Sequence, residues 1–250
     1  MFFPDSNSSA KVGRNVIKNV YYFVESPMLD CNQYILVNDA TGELTLFDSG
    51  NGLSLKGLFE GIGNLGLQYQ KIKNIFLTHE HVDHVLGLYP LIEILKKNPP
   101  TIHAFGETAK ILREGEVSKI FPSNLGISPE AFGLKIIPLN VVDLKLDDLI
   151  GIGSDFSIKL FHTPGHSPGS VCYYEKNNKI LIPGDLVFTG GSFGRYDFPG
   201  GSLDALIESI KFVNNLDVKY LLPGHMGISD NGNQQIEHSY RIVQSMKNFF

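Results

Sequence analysis

Short apolar runs divided by turn residues fill the first fifty positions. Val20 to Glu25, Gln33 to Val37 and Glu43 to Phe47 read as strands, and Asn38-Asp39-Ala40-Thr41-Gly42 supplies a turn between the last two. Leu53 to Phe59 opens a helix. Lys71 to Leu77 has the look of a buried strand, and Leu86 to Lys97 carries apolar residues at helical spacing until Pro99-Pro100 stops it. Glu107 to Glu114 reads as a short helix. From Gly115 to Leu139 the pattern weakens, and an irregular excursion is expected there. Phe156 to Phe161 is strand-like. Ser170 to Tyr174 and Lys179 to Ile182 flank Glu175-Lys176-Asn177-Asn178, a hairpin signal. Ser202 to Val213 reads as a helix with Ser202 as its N-cap. Tyr220-Leu221-Leu222 is another short apolar strand. Asn233 to Phe250 reads as a closing helix with Ile236, Tyr240, Val243 and Met246 on one face.

Composition narrows the class. A chain of 250 residues that is 42% hydrophobic can bury a substantial core, and one domain over 1–250 is expected, with no repeat or linker. The net charge of −5 offers no basic footprint for nucleic acid. No run approaches the roughly 18–20 apolar residues of a membrane span. Met1 to Arg14 lacks the basic start and long apolar stretch of a secretory signal. Cys31 and Cys172 read as buried thiols of a reducing compartment. The expected setting is cytoplasmic, with a small-molecule substrate and neither nucleic acid nor membrane as partner.

The chemistry concentrates at the end of the Lys71–Leu77 run. Thr78-His79-Glu80-His81-Val82-Asp83-His84 packs three imidazoles and Asp83 into six consecutive positions, 79–84. Neutral imidazole nitrogen and carboxylate oxygen are what zinc and similar borderline cations bind. One metal rarely takes four ligands from so short a segment, so two adjacent metals are the natural solution. A solvated polar loop would need three of only eight histidines to meet there by chance. Further strand-like segments end in candidate ligands: the Gly/Pro-punctuated loop His162-Thr163-Pro164-Gly165-His166, the Gly184-Asp185 end of an apolar strand, and Pro223-Gly224-His225. Asp48, closing Leu46-Phe47-Asp48-Ser49-Gly50, is placed to orient a ligand histidine or to cap a turn. His103 reads as an ordinary strand histidine and His238 as a surface residue.

These motifs, from about Leu46 to the end of the chain, resemble the metallo-β-lactamase superfamily of metallohydrolases, and within it the glyoxalase II-like (hydroxyacylglutathione hydrolase-like) branch. The resemblance implies an α/β fold, an αββα sandwich of two mixed β-sheets flanked by helices. Carried over by position, it implies that His79, His81 and His166 hold one metal and that Asp83, His84 and His225 hold a second. Asp185 would bridge them, and His162 would support the site without ligating. The cofactor implied is two divalent metal ions, zinc in the first place, with iron or manganese also suited to these ligands. A metal-bridging hydroxide would attack an acyl carbon, with Asp83 and Asp185 as the catalytic carboxylates. Arg195, in the Gly194-Arg195-Tyr196-Asp197 loop, lies where glutathione thioesterases of this branch place a basic residue against a substrate carboxylate; a salt bridge with Asp197 is its other use.

The implied function is hydrolysis of small thioesters. Full glyoxalase II proteins carry a further helical region that completes the glutathione pocket, and this sequence ends one helix after His225. A mononuclear iron persulfide dioxygenase resembles the same motifs, with His79, His166 and Asp185 as its iron ligands. A lactonase fits the same attack, and a non-catalytic scaffold is the alternative from another class.

Overall fold

A computed structural model describes residues 9–121, 126, 128–146 and 148–247. The chain divides into two compact units, residues 1–143 with 152–155, and residues 144–151 with 156–250.

The first unit is built on a seven-stranded sheet whose spatial order follows the chain: β1 (Gly13–Ile17), β2 (Val20–Phe23), β3 (Gln33–Val37), β4 (Leu44–Phe47), β5 (Ile72–Phe76), β6 (Thr101–Phe105) and β7 (Val141–Leu144). The first four strands pair antiparallel, which short turns allow. From β4 through β6 the pairing is parallel, and parallel neighbours require a crossover. Helix α1 (Leu55–Asn64) supplies the first, and α2 (Val82–Val85) with α3 (Leu88–Ile94) the second. Every residue of β3 and β4 is buried, as befits strands covered on both faces. Leu46, Leu58, Ile62, Ile75, Leu77, Leu91 and Leu112 form the centre of this core, joined by helix α4 (Gly106–Glu114). The short helix α5 (Val117–Ile120) follows. The segment 152–155 returns to this unit through side chains. Asp39 accepts from the Ser154 amide at 2.9 Å and hydroxyl at 2.7 Å, and Asn19 donates to Asp155 at 3.0 Å.

The second unit holds a five-stranded sheet ordered β12-β11-β10-β9-β8, formed by β8 (Leu149–Ile152), β9 (Phe156–His162), β10 (Val171–Glu175), β11 (Ile180–Ile182) and β12 (Tyr220–Leu221). The hairpin read around 175–178 is present as the antiparallel β10–β11 pair, and β12 joins β11 in parallel. Helices α6 (Leu203–Val213) and α7 (Gly232–Lys247) cover a core of Leu181, Leu206, Ile210, Leu221, Ile236 and Val243. Ser202 caps α6 as expected, its hydroxyl accepting from the Ala205 amide at 3.3 Å. Both sheets are mixed and flanked by helices, the α/β class expected.

Three strands were not legible beforehand: β1, β7 and β8. The expected helix over Leu86–Lys97 is instead α2 and α3, the second ending at Ile94, before the proline pair. The break falls at Gly87, whose amide turns to the Gly50 carbonyl at 2.8 Å. Among the described residues, the excursion at 115–139 contains α5 and a tight turn over Pro129–Phe132; positions 122–125 and 127, and positions 248–250, to which the closing helix was expected to run, lie outside the described residues. Among the described residues no helix is long and apolar enough to cross a membrane.

Candidate metal centre

In the first unit, β5 ends at Phe76 and the chain turns through Thr78 to His81, the N-cap residue of α2. The three imidazoles converge: His79 lies 4.8 Å from His81 and 4.0 Å from His84 between ring centroids. All three are buried, while Asp83, in the first turn of α2, is partly exposed.

Hydrogen bonds fix which ring nitrogen each histidine presents. Asp48 Oδ2 lies 2.9 Å from His84 Nδ1, and a carboxylate accepts, so Nδ1 carries the proton and Nε2 keeps the lone pair. Thr78 Oγ1 donates its one hydrogen to Asp48 at 2.8 Å. That hydroxyl can then only accept from His79 Nδ1, 3.0 Å away, so His79 also presents Nε2. Asp48 further accepts the Thr78 amide at 2.8 Å. To do this it takes a left-handed backbone, φ 57°, which is uncommon for a residue with a β-carbon. Asp48 is thus both turn former and histidine orienter, the two roles left open by the sequence.

Sequence reasoning missed two neighbours. Thr78 mediates between Asp48 and His79, and its place directly before the histidine cluster was the available signal. Glu80 is buried and accepts from Thr108 of α4 at 2.8 Å, tying the ligand turn to that helix. Cys31, fully buried, lies with Asp48 and His84 so that their donor atoms are within 4.8 Å of one another. Burial pushes its thiol up to about 11 against the lowering effect of His84.

In the second unit, His166 and Asp185 are buried and His225 is partly exposed. His166 Nδ1 lies 2.6 Å from the Arg195 carbonyl; a carbonyl only accepts, so Nε2 again keeps the lone pair. That Nε2 is 3.6 Å from Asp185 Oδ2, and His225 Nε2 is 3.2 Å from the same oxygen. One carboxylate oxygen therefore stands between two imidazoles. The loop after Asp185 returns so tightly that a β-carbon at Gly194 would lie 1.9 Å from the Asp185 carbonyl oxygen. Phe188 rests edge-on against His225, centroids 5.7 Å apart. The turn carrying Phe188 is held by α7, where buried Ser239 donates to the Ser192 carbonyl at 2.9 Å.

The remaining candidates separate by their contacts. His162, exposed at the end of β9, donates through Nε2 to the Pro168 carbonyl at 2.9 Å and so braces the loop of His166. Arg195 gives its fork to Asp197, at 2.9 and 2.6 Å, and lies over the Phe198 ring. The pairing holds the Asp197 carboxyl below its ordinary range and the guanidinium above its own. His103 stacks on Phe76 within β5–β6 and meets Asn74 at 3.0 Å; burial lowers its pKa. His238 sits on α7 beside Gln234, Glu237 and Arg241, around a surface hollow of about 260 Å³.

The donor set fits a metal. Three histidines are oriented to present Nε2 by an acceptor on the other nitrogen, the arrangement usual for ligating imidazoles. A carboxylate oxygen flanked by two imidazole nitrogens has the geometry of a shared ligand.

A family model, that of the metallo-β-lactamase superfamily, matches residues 27–225. The probable metallo-hydrolase YqgX of Bacillus subtilis is 31% identical over 79% of this chain and 85% of its own length. The hydroxyacylglutathione hydrolase GloC of Haemophilus influenzae is 32% identical over 56% of this chain and 61% of its own. Among solved structures, that of TTHA1623 in a di-iron-bound form superposes with a TM-score of 0.64 at 31% identity, covering 84% of this chain and 95% of that one.

Proposed function

Because the chain belongs to the metallo-β-lactamase superfamily, we propose that this metallohydrolase cleaves small thioesters at a dinuclear centre. In this reading His79, His81 and His166 hold one divalent ion, Asp83, His84 and His225 hold the other, and Asp185 is shared. The observation that carries it is the Asp185 oxygen lying 3.6 Å from His166 Nε2 and 3.2 Å from His225 Nε2. Bound there, two divalent cations would supply an activated water at neutral pH and a Lewis-acid hold on an acyl oxygen.

The protein's own part is orientation and proton handling. Asp48 and Thr78 keep His84 and His79 in the ligating tautomer. The Arg195 carbonyl does the same for His166. Asp83, partly exposed, is assigned first to the metal and second to taking a proton as the acyl carbon is attacked. The likeness to GloC supports the thioester class. Zinc is the ion we assign, from the nitrogen-rich donor set. The half-exposed Arg195 side chain is assigned to a substrate carboxylate, which would exchange with Asp197. Its replacement, Arg195→Ala, should raise KM more than it lowers kcat, since it removes binding common to ground and transition states. A cytoplasmic setting accords with two buried, unbridged thiols at Cys31 and Cys172.

The test is thiol release from a panel of hydroxyacyl thioesters, run beside oxygen uptake with a persulfide and lactone opening, with metals counted per chain. Thiol release with two metals per chain is expected. Rapid oxygen consumption with one iron and no thiol release would transfer the protein to the dioxygenases, and lactone opening alone to the lactonases.

A further inference from the structure

Far from any ligand in sequence, the first unit buries a charge. Lys11 and Asp30 have side chains 1% and 0% exposed, and their charged atoms lie 2.6 Å apart. The Lys11 ammonium also donates to Gln33 Oε1 at 2.6 Å and to the Cys31 carbonyl at 3.4 Å. Taking two charges out of water costs much of what their attraction returns, and apolar residues of similar size would serve stability about as well. A pair kept in such a place points to a task of position.

Its hydrogen bonds show what it positions. Asp30 Oδ1 accepts the Asn51 amide at 3.1 Å, and Oδ2 accepts the Ser26 amide at 2.8 Å. Asn51 in turn donates from its side chain to the Met28 carbonyl at 2.8 Å and accepts the Leu53 and Ser54 amides at 2.9 and 3.1 Å. The turn 48–52 is thereby pinned to the 26–31 loop. Its other side clasps the ligand helix. Ser49 donates to the His84 carbonyl from both amide and hydroxyl, each at 2.8 Å, and the Gly50 carbonyl accepts the Gly87 amide at 2.8 Å. The clasp grips His84 itself and Gly87, directly after Asp83, whereas His79 and His81 precede α2.

We propose that Lys11 and Asp30 are positioning residues for the second metal, acting through Asn51 and the 48–52 turn on Asp83 and His84. The inference rests on the dinuclear reading above. It assigns to a buried ion pair the spacing of the second ligand pair; the same turn reaches the first pair only through Asp48 and Thr78, at one end of β5.

Stepwise metal titration of the metal-stripped protein, read as ions bound per chain and the affinity of each step, separates the possibilities. The probe is zinc alone. In Lys11→Met/Asp30→Leu, which replaces both charges with apolar side chains, we expect the fold to persist and the first-site affinity to change much less than the second. Affinity for the second ion should fall about 10–100-fold, the usual cost of losing the support of a ligand. Asp30→Asn keeps shape and one acceptor for Asn51; should the double variant not fold, it carries the same test, with a smaller loss at the second step. Second-step affinity unchanged in a folded variant would overturn the inference. A wild-type protein that saturates at one ion would overturn the dinuclear reading itself, a separate outcome.

Discussion

Asp48 shows how much one side chain can be asked to do. Its carboxylate accepts from Thr78 twice and from His84 once, and its backbone is left-handed to reach them. Asp48→Ala should therefore lower metal affinity or activity about 10–100-fold, measured by metal titration and turnover. His81→Ala should abolish activity, while His103→Ala leaves it nearly unchanged, since the His103 ring stacks on Phe76 within the strands. His103 has a second measurable effect. Burial lowers its pKa, so its folded form resists protonation while the unfolded chain accepts the proton at the ordinary value of about 6.5. Its contribution is complete above that value and is lost as pH falls through the depressed one. His103→Phe should thus lose less stability than wild type between pH 7.5 and 5.5 in urea unfolding. The candidate ligands were legible because histidines at two-residue spacing are a rare pattern. Thr78 and Glu80 were not, because a threonine and a glutamate are common anywhere and only the fold reveals that Asp48 and Thr108 meet them.

At the scale of elements, the sequence announced those buried on two sides and hid those at the margins. β3, β4 and β10 are buried throughout, and their apolar runs were readable. The three strands missed, β1, β7 and β8, are all edge strands, and their burial is broken. An edge strand packs on fewer neighbours, so its pattern need not be apolar. The α2–α3 break was hidden for another reason, since it depends on a carbonyl arriving from the distant 48–52 turn. Gly87 meets that turn so closely that a β-carbon there would lie 1.9 Å from the Ser49 oxygen. The capping of α6 was legible because it is local. Ser202→Ala should cost about 1 kcal/mol in urea unfolding, the usual value of such a cap. The cost should appear in the second unit, where the Ser202 amide also donates to the Gly165 carbonyl, beside His166.

For the whole molecule, the dinuclear reading predicts that metal and stability are coupled. Ions that bind only the folded chain add about 2.7 kcal/mol at a hundred times their dissociation constant. Chelation should lower Tm, restoring the ions should recover it, and the size of the change should follow metal concentration. A Tm indifferent to chelator would argue against a loaded centre. The returning segment 152–155 sets an order in time as well as in space. On the ribosome His79 to His84 emerge first, yet Asp39 must wait for Ser154, made roughly 70 residues after His84 and so some seconds later at typical elongation rates. His225 and the helix that carries Ser239 come later still. The imidazoles of 79–84 are thus synthesised well before His166, Asp185 and His225. On the dinuclear reading proposed above, the full set of ligands exists only once the chain is complete, so loading would follow synthesis and the ion acquired would reflect what the mature protein meets.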